Sequence, residues 1–102
     1  MSRVLVVVLG VAFASVALAA EHPSLSAAQA GRLAAQLANA ECHRRFSCAP
    51  FDSSAAKPNL IRGRWHWRSM VGHGRSDLVA DVSFSQSGDA ATVRVDLMDN
   101  RR

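Results

Sequence analysis

The stretch Ile61-Arg62-Gly63-Arg64-Trp65-His66-Trp67-Arg68-Ser69-Met70-Val71 alternates with period two. In an extended chain, successive side chains point to opposite faces. One face therefore takes Ile61, Gly63, Trp65, Trp67, Ser69 and Val71, and the other takes Arg62, Arg64, His66, Arg68 and Met70. Gly72-His73-Gly74-Arg75-Ser76 follows with the composition of a turn. A second run sets Leu78, Ala80, Val82 and Phe84 against Asp77, Val79, Asp81 and Ser83. After a second turn at Gln86-Ser87-Gly88-Asp89, a third run sets Ala91, Val93, Val95 and Leu97 against Thr92, Arg94 and Asp96. This pattern predicts three half-buried antiparallel strands in a meander over 61–102.

Register follows from the same rows, because opposed residues must share a face. A four-residue turn at Gln86 to Asp89 brings Asp81 opposite Arg94, and one of two registers across the glycine turn brings Arg68 opposite Asp81. The outer face then carries an Arg68, Asp81, Arg94 row, each pair contributing some tenths of a kcal/mol. The inner face presents Trp65, Trp67, Val82, Phe84, Val93 and Val95 and needs a cover.

That cover lies upstream. From Ser24 to about Phe46, the polar residues Gln29, Arg32, Gln36, Asn39 and His43 recur at steps of three and four, with Ala30, Leu33, Leu37 and Ala40 on another face. Ser26-Ala27-Ala28-Gln29 matches a capping box, so the helix is expected to start near Ser26 and end between Cys42 and Phe46. Residues 49–60, with Pro50, Ser53, Ser54, Pro58 and Asn59, read as a surface loop. The expected architecture is α+β, one alanine-rich helix packed on a three-stranded antiparallel meander.

Met1-Ser2-Arg3 precedes an uncharged run from Val4 to Ala20 that ends in the small-x-small triplet Ala17-Leu18-Ala19. This is the form of a secretory signal peptide spanning 1–19, with 20–102 left as one exported domain, periplasmic or secreted. An uncleaved anchor is the alternative, since the run sits at the bottom of the length that spans a bilayer. In an oxidising compartment Cys42 and Cys48, the two cysteines of the chain, are expected to form a disulfide closing the helix end. Metal ligation by Cys42, His43 and Cys48 is the competing use, and it lacks a clear fourth ligand.

The chain has 102 residues, 49% hydrophobic and 20% charged, with a formal charge of +4. That leaves room for one small domain and excludes a disulfide-dense mini-protein, a disordered chain and a repeat solenoid. So small a positive excess, on an exported chain, gives no reason to expect a nucleic-acid partner. No nucleophile motif, phosphate loop or metalloprotease spacing occurs, and the chain is read as non-enzymatic. A minimal hydrolase using His66, which shares its face with Asp81 and Ser83, is the catalytic alternative, and it requires a concave pocket around that histidine.

The leading candidate surface is the arginine-bearing sheet face, formed by Arg62, Arg64, His66, Arg68 and Arg94, or an open strand edge beside it. Guanidinium groups on alternate positions suit the carboxylate, sulfate or phosphate groups of a protein or an anionic envelope component. An ordinary solvated face partly neutralised by Asp77, Asp81 and Asp96 is the plainer reading. Cleavage after Ala19 would also create an Ala20-Glu21-His22 N-terminus, whose amine, amides and imidazole form a square-planar site for Cu(II) or Ni(II). A helix followed by a meander is similar in topology to some periplasmic inhibitor and propeptide modules, without a shared motif.

Overall fold

The computed structural model describes residues 23–99, and the signal peptide and the Ala20-Glu21-His22 site expected from the sequence lie outside them. Helix α1 runs Ala27–Phe46. Its capping box forms as expected: the Gln29 amide donates to Ser26 Oγ at 3.1 Å, and the Ser26 amide donates to Gln29 Oε1 at 2.8 Å. At the other end Ser47 takes the left-handed conformation (φ 56°), and its amide donates to the His43 carbonyl at 3.1 Å. His43, Arg44 and Arg45 place positive charge at the negative end of the helix dipole. The Cys42–Cys48 disulfide is formed, with Cα atoms 5.2 Å apart, and ties the last turn to the chain that leaves it. A ring this small contributes about 2 kcal/mol in the loop-entropy treatment.

The sheet has four strands, not the expected three: β1 (Asn59–Ile61), β2 (Arg64–His73), β3 (Ser76–Ser85) and β4 (Thr92–Asp99), antiparallel and in sequence order. The difference lies at Arg62 and Gly63. Both have positive φ, 52° and 79°, the signature of a type I′ two-residue hairpin turn, and Ile61 pairs with Arg64 across it. Alternation carries no mark of a chain reversal, so the period-two pattern ran through the turn. Arginine at the first turn position hid a signal that asparagine or aspartate would have given. The loop expected over 49–60 therefore yields its last two residues to β1, and Ile61 moves to the face of Arg64, away from the tryptophans. The remaining register agrees with the sequence: Arg68 pairs with Asp81, and Asp81 with Arg94.

The inner face of the sheet packs against α1. The helix buries Ala30, Ala34, Ala38 and Cys42, one residue per turn, together with Gly31 and Ala35. This corrects the expected apolar face: Leu33 and Leu37 sit half-buried to the side, and Ala40 is exposed. Alanine occurs all around this helix, so hydrophobic spacing could not mark the buried stripe. The small side chains let the helix axis approach the sheet, while the large residues come from the strands: Phe84, Leu78 and Val95 are fully buried, and Trp65 and Trp67 are 8% and 2% exposed. At the β3–β4 turn, Gly88 (φ 94°) lies under the helix start, where a Cβ would stand 3.1 Å from Leu33 and 3.3 Å from Leu25.

The segment between α1 and β1 is also built. Asn39, expected on the wet stripe of the helix, clamps Phe51 from both sides: its Nδ2 donates to the Phe51 carbonyl at 2.9 Å, and its Oδ1 accepts from the Phe51 amide at 2.8 Å. Phe51 is thereby buried edge-on against Trp67, with ring centroids 6.3 Å apart. Asp52 caps a short 3-10 helix, Ser53–Ala55, by accepting from the Ser54 amide at 3.0 Å. The carbonyl of Ala56 then accepts from Trp67 Nε1 at 3.3 Å.

Candidate anion-binding face

The face of the sheet away from α1 is read off the register in rows. Asn59, His66, Ser83 and Thr92 form one row, and Arg68, Asp81 and Arg94 the next. These seven side chains surround an open depression of about 210 Å³ whose floor is the backbone of Trp67 and Val82. Residues from all four strands meet there, so the hollow depends on the register being correct.

Of the five candidate residues, the structure brings three together: His66, Arg68 and Arg94. Arg68 Nη1 lies 3.5 Å from Asp81 Oδ1. Arg94, although opposite Asp81, turns along its own strand to Asp96, with Nη2 to Oδ2 at 3.3 Å. Asp96 also receives Arg45 Nη1 at 3.3 Å from the end of α1. Both arginine side chains remain largely in solvent, 61% and 72% exposed, so these pairs hold them loosely.

The other two candidates are placed elsewhere. Arg64 spends its guanidinium on the β3–β4 connection, where Nη2 donates to Ser83 Oγ at 3.2 Å and to the Ala90 carbonyl at 3.0 Å. It braces the rim of the hollow and steadies Ala90, which has positive φ (53°). Arg62 sits in the β1–β2 turn and is not part of the row. Asn59 and Thr92 line the hollow without having been singled out; recognition of the Arg62-Gly63 turn would have brought Asn59 opposite His66.

For the hydrolase alternative, a hollow does surround His66, but it is shallow and open, and Ser83 Oγ is already engaged by Arg64. Among the described residues, no group of three or more His, Cys, Asp or Glu side chains could hold a metal ion. The sulfurs of Cys42 and Cys48 are bonded to each other, which removes both thiolates from the Cys42, His43, Cys48 ligand set. Carboxyl groups of shifted acidity lie away from the hollow. Hydrogen bonding from Arg44 holds Glu41 below its ordinary value, and the Ser54 amide does the same for Asp52. No helix among the described residues is long and apolar enough to cross a membrane.

No protein-family model matches the chain, and neither a curated protein nor a solved structure is significantly similar to it.

Proposed function

We propose that this chain is a small exported binding module, non-enzymatic, whose recognition surface is the outer face of the sheet. Its ligand is an anionic group, phosphate, sulfate or carboxylate, carried by a protein or by an envelope component. The observation that carries this reading is the convergence of His66, Arg68 and Arg94 on one hollow rimmed by the neutral donors Asn59, Ser83 and Thr92. Loosely held guanidinium groups can exchange an intramolecular carboxylate for an external anion at little cost, and Asp81 is the carboxylate that an anion drawn to Arg68 must displace. The disulfide and the N-terminal apolar run support the exported location.

The test is a titration of ¹⁵N-labelled protein with inorganic pyrophosphate, followed by amide shifts. Saturable changes are expected at His66, Arg68, Ser83, Thr92 and Arg94. They should weaken as ionic strength rises from about 0.05 M to about 0.5 M, where screening shortens the reach of exposed charges. Loss of the effect in the double variant Arg68→Ala with Arg94→Ala supports the site. Shifts scattered over the surface, or indifferent to salt, reject it.

A further inference from the structure

We propose that a second binding site lies on the helix side of the sheet, between α1 and the segment 53–58, and that it takes a medium-chain carboxylate, an apolar body with one negative head. The hollow there encloses about 490 Å³, within the range of small-molecule sites and larger than the depression on the outer face. Along one wall α1 sets Ala28, Gly31 and Arg32, and along the other stand Ala56, Lys57 and Pro58. Both walls are mostly small or apolar, and each carries one cation. No carboxylate is among the residues that line it.

The two cations are uncompensated. Among the described residues, neither the Arg32 nor the Lys57 side chain has an ion-pair or hydrogen-bond partner. Asp52, the acid closest to Lys57 in sequence, turns its carboxylate to the Ser54 amide and hydroxyl, both at 3.0 Å. The cap of α1 is already formed by Ser26 and Gln29, so the positive charge over the hollow is that of the two side chains. Arginine and lysine stems can lie along apolar walls while their charged ends stay in water at the mouth. A hollow of this kind is complementary to a ligand that is apolar along its length and anionic at one end. A sugar phosphate, polar all round, suits the outer depression with its neutral donors and not this one.

Gly31 supplies an independent observation. It is the one glycine of an alanine-rich helix, where glycine is costly relative to alanine. Packing does not require it: a Cβ there would stand 3.5 Å from the Ser53 carbonyl oxygen and 3.8 Å from Pro58 Cδ, both ordinary contacts. What the missing methyl leaves open is the floor of the hollow, which Ser53 and Pro58 also line. The chain thus forgoes helix stability at the position where alanine would narrow the gap. This site stands apart from the outer-face reading, since it uses other residues on the other side of the sheet.

The test is a titration of the ¹⁵N-labelled protein with octanoate below its micellar concentration, beside octanol and acetate. Octanoate is expected to give saturable amide shifts centred on Gly31, Arg32 and Lys57, with a dissociation constant of about 1 mM or tighter, modest for a ligand of about ten non-hydrogen atoms. Octanol, which lacks the charge, and acetate, which lacks the body, should show no saturation over the same concentrations. Arg32→Gln with Lys57→Gln, at two exposed positions, should weaken octanoate binding about tenfold or more. Gly31→Ala should move two readouts in opposite directions, with a higher melting temperature in the free protein and an octanoate affinity lower by about threefold or more. Octanol or acetate saturating as octanoate does, an affinity indifferent to the double variant, or an affinity kept in Gly31→Ala overturns the inference. So do shifts centred on Arg68 and Arg94, which would give the carboxylate to the outer face, and shifts that spread over the surface without saturating.

Discussion

The two faces of this sheet arise from the same strands by the same alternation, yet they are finished in opposite ways. On the inner side the strands supply the bulk and the helix supplies almost none: Phe84, Leu78 and Val95 are fully buried against a stripe of alanines. On the outer side Val79 is buried, but the charged residues around the hollow are held by exposed ion pairs, to the facing strand or along their own. The difference teaches where this small domain keeps its stability and where it is free to recognise something. Packing cannot be relaxed without opening a cavity, whereas exposed pairs contribute little and can be traded for a ligand.

The largest contrast is expected from a substitution on each side of one peptide bond. Phe84 is fully buried, so Phe84→Ala should cost about 3–5 kcal/mol, enough to unfold much of a domain of this size. Ser83→Ala, one residue away on the outer face, should cost under about 1 kcal/mol, because a single part-buried hydrogen bond is lost and Arg64 Nη2 keeps its bond to the Ala90 carbonyl. Urea unfolding followed by tryptophan fluorescence measures both. A similar loss in the two variants would break the comparison.

A finer test lies within the inner face. Trp67 donates to the Ala56 carbonyl and carries Phe51, whereas Trp65 Nε1 is buried with no hydrogen-bond partner among the described residues. An unpaired buried donor is a standing cost, which a phenyl ring does not have. Both Phe replacements lose volume, but Trp67→Phe also loses a bond and leaves a carbonyl unpaired. It should therefore be the less stable of the two variants, by about 1 kcal/mol in the same unfolding experiment. Equal losses would mean that packing volume alone governs this face.

Much of this was legible in the residues. The inner rows, the Asp81–Arg94 register, the capping box and the disulfide follow from patterns a few residues long, whereas the glycine turn allowed two registers and the structure adopts the one that sets Arg68 opposite Asp81. What stayed hidden depends on contacts that no period encodes. Phe51 is a core residue because Asn39, twelve positions earlier, clamps its backbone, and neither belongs to a periodic run. The Arg62-Gly63 turn was masked because a two-residue reversal preserves alternation while exchanging the face of everything before it. The hollow inherits that error, since Asn59 lines it only once β1 exists. Arg45 could not have been placed without knowing that the end of α1 reaches the β4 edge.

The smallest expected effect on stability is the one that matters most for function. Arg68 and Arg94 each pair with a carboxylate that is about half exposed, at 3.5 and 3.3 Å. Such pairs contribute between nothing and about 1 kcal/mol, because solvent screens them and holding two long side chains still costs entropy. Arg68→Ala with Arg94→Ala should therefore shift the unfolding free energy by less than about 1 kcal/mol. If the outer face is a recognition surface, the same double variant abolishes the pyrophosphate-induced shifts. The two readouts separate the possibilities cleanly. Binding lost with stability kept places recognition on the outer face. Stability lost by several kcal/mol would make these arginines part of the scaffold and erase the distinction between the faces, while binding kept would leave them an ordinary solvated row.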